Sequence, residues 1–155
     1  MNFDDAFKIL MKHEGGYVWD PIDPGGQTKF GLSKRAYQHL DIDKVTIEDA
    51  KSIYKQDYWE KVHSDELPQS LRYSVFDAAV NAGNRQATLW LQRSVGAHDD
   101  GVIGPKTLAA VRESDEYKIV CTFNGQRLRH FANLKTFNRF GRGWARRLAD
   151  NLVAA

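Results

Sequence analysis

Apolar residues recur every three or four positions along most of the chain, the spacing of one face of a helix. Phe3, Phe7, Leu10 and Met11 make the first such face, with Asn2 placed to cap it and Asp4 and Asp5 in its opening turn. Thr46 with Asp49 has the form of a capping box, and Ala50, Ile53 and Tyr54 carry an apolar stripe toward Trp59. After Leu67-Pro68, the strongly apolar run from Leu71 to Val80 stops at Gly83, which predicts a central buried helix. Residues 85–95 follow, closed by Gly96, with Leu89, Leu91 and Val95 facing inward. Pro105 suits the first position of a helix ending near Glu113. A longer helix is expected over about 116–134, and a last one from near Gly143. Ser33 is expected to cap a short helix to about Leu40, and only the stretch from Lys29 to Leu32 hints at a strand. The predicted fold is all-α, with a short irregular or β-hairpin segment after the first helix.

Composition narrows the setting. A chain of 155 residues with 42% hydrophobic and 27% charged positions can bury a real core as one domain. No Gly, Ser or Pro-rich linker and no repeat divides it, so residues 1–155 are expected to form a single body. No apolar run is long enough to span a bilayer. The start, Met1-Asn2-Phe3-Asp4-Asp5, lacks the basic and apolar regions of a secretory signal. The expectation is synthesis in a reducing cytoplasm. Cys121 is the only cysteine, which excludes an internal disulfide and a multi-cysteine zinc cage; its mid-helix position suggests a small core residue.

The net charge of +2 is unevenly spread. Residues 1–78 carry 10 Lys/Arg against 14 Asp/Glu, and residues 79–155 carry 12 against 6. Arg127, Arg129, Lys135, Arg139, Arg142, Arg146 and Arg147 are the densest basic stretch. It reads either as a solvated helix face or as a surface for a polyanion such as the anionic cell wall. Nucleic-acid binding is the weaker form of the second reading and is not expected.

The chemistry-bearing segment is Glu14-Gly15-Gly16-Tyr17 followed by Asp20-Pro21-Ile22-Asp23-Pro24-Gly25-Gly26-Gln27-Thr28. Glycines after a helix are an ordinary stop signal, but a carboxylate at that end opposes the helix dipole. The dipole, with any burial, raises its pKa and suits Glu14 to hold a proton for donation. A proline-restricted loop can hold Asp20, Asp23 and Thr28 opposite it. Two carboxylates across a cleft, one protonated and one managing water or an oxocarbenium-like centre, are what glycosidic cleavage requires. Either Asp alone could equally be an Asx-turn before proline. A zinc-protease helix is excluded because Tyr17 stands where its second histidine would be, and His13, His39, His63, His98 and His130 show no ligand spacing. No Gly-x-Ser-x-Gly nucleophile motif occurs. No metal and no cofactor are expected.

The stretch from Glu14 to Ser33 resembles the signature of the glycoside hydrolase 108 family, N-acetylmuramidases found as phage endolysins and in bacterial protein-release systems. The resemblance continues through Tyr58-Trp59, Phe76-Asp77, Val80-Asn81-Ala82-Gly83, Leu91-Gln92, Asp100-Gly101-Val102-Ile103-Gly104-Pro105-Lys106-Thr107-Leu108 and Arg142-Gly143-Trp144. It implies a lysozyme-like helical fold and Glu14 as the catalytic acid. The Glu14…Asp23…Thr28 order is similar to that of phage lysozymes, in which the Asp and Thr manage the water; Asp20 stays a rival for the second carboxylate. Residues from about 90 to 155 are similar to small peptidoglycan-binding modules, within the same body. Tyr17, Asp20, Tyr54, Trp59, Asn81 and Gln92 are the expected glycan-lining residues, beside Tyr58, whereas Trp90 and Trp144 are expected to pack. The implied activity is hydrolysis of the MurNAc–GlcNAc β-1,4 bond by a monomer, made in the bacterial or host cytoplasm and released to the wall by a partner such as a holin or a dedicated secretion system. A lytic transglycosylase and a non-catalytic wall binder are the alternatives. A carboxyl separation of roughly 6.5–9.5 Å would predict inversion.

Overall fold

A computed structural model describes residues 1–13, 18–19 and 27–155. Helix α1 (Phe3–His13) leads into a small antiparallel sheet, β1 (Val18–Trp19), β2 (Gln27–Lys29) and β3 (Leu32–Ser33), paired in the order β1-β2-β3. Six helices follow: α2 (Ile47–Tyr54), α3 (Gln69–Ala82), α4 (Asn84–Ser94), α5 (Pro105–Glu113), α6 (Glu116–Ala132) and α7 (Phe137–Val153). The fold is lysozyme-like and helical, with its one β-segment after the first helix. Among the described residues no helix is long and apolar enough to cross a membrane.

Local chemistry explains most of the boundaries. Asn2 accepts from the amide of Asp5 at 2.9 Å, closing the start of α1. The Thr46 hydroxyl accepts from the Asp49 amide while the Asp49 carboxylate accepts from the Thr46 amide, so the capping box forms as the sequence suggests. Its helix runs on to Trp59, but as a wider π-type turn over Lys55–Trp59. Pro105 opens α5 at its first turn.

Three expectations are corrected. Ser33 does accept from the Ala36 amide, yet residues 34–39 form turns and no helix propagates; only a short 3₁₀ turn, Ile42–Lys44, follows. The strand hinted at over 29–32 is interrupted by a turn: Lys29 and Leu32 pair as the last residue of β2 and the first of β3, and Phe30 and Gly31 between them sit at φ of 51° and 79°, the left-handed pair that matches strand twist. Helix α7 starts at Phe137, six positions before Gly143.

Two apolar clusters meet on α3. One face of α3 places Tyr73 and Phe76 among Phe3, Phe7, Leu10, Tyr54 and Trp59. Edge-to-face rings, with Phe3 5.4 Å from Trp59 and Trp59 5.5 Å from Phe76, lock α1 onto α3. The other face places Leu71, Val75, Ala78 and Ala79 among Trp90, Leu91, Val111, Ile119 and Phe123 of α4, α5 and α6. A helix buried on both faces has no room for a solvated flank, which is why its apolar run is almost continuous.

Candidate active site

Glu14, Tyr17, Asp20 and Asp23 lie outside the described residues. What is described is their frame: the last turn of α1 on one side and the hairpin on the other. Thr28 stands in the middle of β2, half-buried, paired across to Val18 and to Ser33.

The hairpin is pinned from below. Phe30, a non-glycine residue at positive φ, is unfavourable there unless its surroundings over-determine it. The Tyr54 hydroxyl donates to the Phe30 carbonyl at 3.1 Å, and the Lys29 ammonium lies 5.6 Å from the Phe30 ring centre while donating to the Asp43 carbonyl. Tyr54 is therefore a buried support for the strand carrying Thr28, not a surface for sugar. Trp59 is likewise fully buried, its indole spent on the aromatic packing of Phe3 and Phe76. Tyr58 is only partly covered and shares a 3.4 Å contact with the Tyr37 hydroxyl, which donates to Asp57.

Gln92 is also corrected from lining to architecture. Its amide is fully buried: the nitrogen donates to Asp100, to the Val102 carbonyl and to Thr107, and the oxygen accepts from the Gly101 amide. Both amide hydrogens are engaged and no part of the side chain is exposed to a ligand, and the 100–107 turn is built around it. Trp90 is packed against Phe123 and His130. Cys121, expected inside, is exposed on α6.

The basic stretch divides. Arg127 is fully buried and donates to Asp77 at 2.6 Å; Arg147, from α7, donates to the other Asp77 oxygen at 2.8 Å; Asn151 adds a third bond. Burial would raise the Asp77 pKa, but the two guanidiniums and the bonds from Arg127 and Asn151 outweigh it and hold the carboxyl below its usual range. These two arginines were expected at the surface, either on a solvated helix face or on one open to a polyanion. Asp77 was noticed only within the resemblance, although an acid inside an apolar helix run has to find a cation.

This cluster fastens α7 across the end of α1. His13 Nε2 lies 3.3 Å from Asp150 of α7, and a groove of about 370 Å³ opens between them. Lys12, His13 and Asn81 form one wall; Phe140, Trp144 and Arg146 form the other. Of the expected lining residues, Asn81 is the described one that reaches this groove. Its amide nitrogen donates to the Asp77 carbonyl at 2.6 Å, leaving the oxygen as an acceptor. Trp144 packs as expected, 5.1 Å from Phe131, but only half-buried, with a face left at the groove. Among the described residues no group of three His, Cys, Asp or Glu side chains could hold a metal ion.

Comparison with known proteins assigns both halves. Residues 7–83 match the family described as glycosyl hydrolase 108, and residues 86–149 match the one described as predicted peptidoglycan domain. The solved structure of Brucella abortus SagA superposes with a TM-score of 0.88 at 36% identity, over 97% of this chain and 91% of that one. The chain belongs to the glycosyl hydrolase 108 family. No curated protein matches. Membership of glycosyl hydrolase 108, joined to a peptidoglycan segment, makes this a peptidoglycan hydrolase. The groove beside α1 takes one wall from each segment, Lys12, His13 and Asn81 from the first and Phe140, Trp144 and Arg146 from the second.

Proposed function

We propose that the chain is an N-acetylmuramidase, hydrolysing the β-1,4 bond between N-acetylmuramic acid and N-acetylglucosamine. Glu14 donates its proton to the leaving glycosidic oxygen, and Asp23, with the Thr28 hydroxyl, holds and activates the water that attacks the anomeric carbon. The observation that carries the reading is the position of Glu14 in the chain, immediately after His13, where α1 ends and the groove begins. The carbonyl pole of a helix disfavours a carboxylate and favours the neutral acid that this step needs. Thr28 supports hydrolysis over transglycosylation, because a hydroxyl held on β2 can serve a water and has no part in forming a 1,6-anhydro ring.

Replacement of Glu14 by Gln tests the assignment. The variant is expected to melt at the parental temperature and to release reducing ends from purified peptidoglycan about 10²- to 10⁴-fold more slowly. Undiminished release would remove Glu14 from the acid role. Mass spectrometry of the parental digest separates the two reactions: reducing muramic acid ends support hydrolysis, and anhydro ends would replace it by transglycosylation.

A further inference from the structure

We propose that the groove between the end of α1 and α7 binds the acidic stem peptide of the glycan strand, Lys12 and Arg146 pairing with its carboxylates while Trp144 and Phe140 carry the adjoining sugar. The proposal rests on peptidoglycan being the polymer cut at Glu14, and adds which part of it the second half of the chain reads.

Four features point to this occupant. First, the groove is of ligand size, about 370 Å³ against the roughly 300–1,000 Å³ common for small-molecule clefts. Second, its aromatic wall is accessible: Phe140 is 45% exposed and Trp144 half-buried, a pairing of flat apolar faces that suits sugar CH groups. Third, its cations are free. Arg147 is spent on Asp77, and Arg139 lies 5.0 Å from the Phe140 ring centre. Among the described residues, neither Lys12 nor Arg146 has an anionic partner, and both are exposed. Fourth, Lys12 of the groove wall precedes Glu14 by only two residues in the chain, which keeps the groove close to the proposed acid.

A neutral polysaccharide would use the rings and the Asn81 oxygen but has nothing for two unpaired cations. The stem peptide offers carboxylates at short range from the muramic acid ring. Pairing at the rim of a half-open groove gives selectivity for the peptide-bearing strand, with modest affinity per contact.

The test compares two substrates, each freed of phosphate-containing wall polymers: intact peptidoglycan, and glycan chains stripped of stem peptides by an amidase. Binding is measured by co-sedimentation on ice, and KM and kcat by release of reducing ends. The parent is expected to prefer the peptide-bearing form. The double variant Lys12→Gln/Arg146→Gln is expected to bind that form about tenfold more weakly, through KM and not kcat, with less than twofold change on stripped chains. Phe140→Ala is expected to weaken both substrates by a similar factor. Equal losses on both substrates in the double variant, no loss on either, or a parent without preference would overturn the stem-peptide assignment. If the parent releases no reducing ends yet keeps a preference that the double variant lacks, the hydrolytic reading fails and this one stands.

Discussion

Arg146 and Arg147 are neighbours on one helix and do opposite things. Arg147 turns inward and, with Arg127, closes on Asp77, whose side chain has no exposed surface. Arg146 turns outward to the groove and meets no carboxylate among the described residues. One residue of helix is a rotation of about 100°, enough to separate a structural charge from a free one. The difference teaches that the basic character of the second half is two properties under one composition. Part of it is consumed in fastening α7 to α3, and only the remainder is available to an anionic polymer.

The strongest way to break this comparison is to remove the shared anion. Asp77→Ala leaves the fully buried Arg127 guanidinium without its carboxylate and takes one partner from Arg147, and should cost about 3–5 kcal/mol in denaturant unfolding. A loss below about 1 kcal/mol would mean that the cluster is not what holds α7. Arg147→Ala removes one donor of three and keeps Arg127 and Asn151 on Asp77, so about 1.5–3 kcal/mol is expected. The groove should loosen with it, because α7 supplies one wall.

Acid unfolding probes the same cluster with a smaller effect. Asp77 is held below the ordinary carboxylate range, so its contribution is fully present above the unfolded value of about 4 and is lost as pH falls through the folded value. Removing Arg147 takes away one of the charges that lower it, and the folded pKa rises. In Arg147→Ala the acid-induced loss of stability should therefore begin at a higher pH than in the parent. A shift of the acid midpoint downward, or none, would show that Arg147 does not set the ionisation of Asp77.

Much of this was legible in the sequence, and the failures share a cause. Apolar spacing located α1, α3 and α4 because local periodicity is enough for a helix face. Thr46 with Asp49, and Pro105, gave starts because caps are chemistry within three residues. The partners of Asp77 lie 50 and 70 residues away, and no local pattern announces them. Gln92 resembled a ligand-binding amide because a buried staple and a sugar contact need the same group. The expected start near Gly143 missed the first turns of α7, which carry Gly141 inside the helix. Gly141 is buried, and a Cβ there would stand 2.8 Å from the Phe137 ring, so the glycine serves packing within a helix. Phe137, Phe140 and Trp144, at spacings of three and four, were the signal that marked those turns. For the active site, a carboxylate set against a helix dipole singled out Glu14 and the resemblance agreed, while the second wall of the groove required the fold.

The smallest expected effect is the most discriminating. Arg146→Ala should change unfolding free energy by no more than about 0.5 kcal/mol, because an exposed, unpaired side chain supports nothing in the folded state. A loss comparable to that of Arg147→Ala would erase the division between the two residues. Salt then separates them further. Rim pairing is screened within about 3 Å at molar ionic strength, so the parent's advantage over Arg146→Ala in wall binding should vanish there. The Asp77 cluster is closed to solvent, and the stability gap between the parent and Arg147→Ala should persist at the same salt concentration.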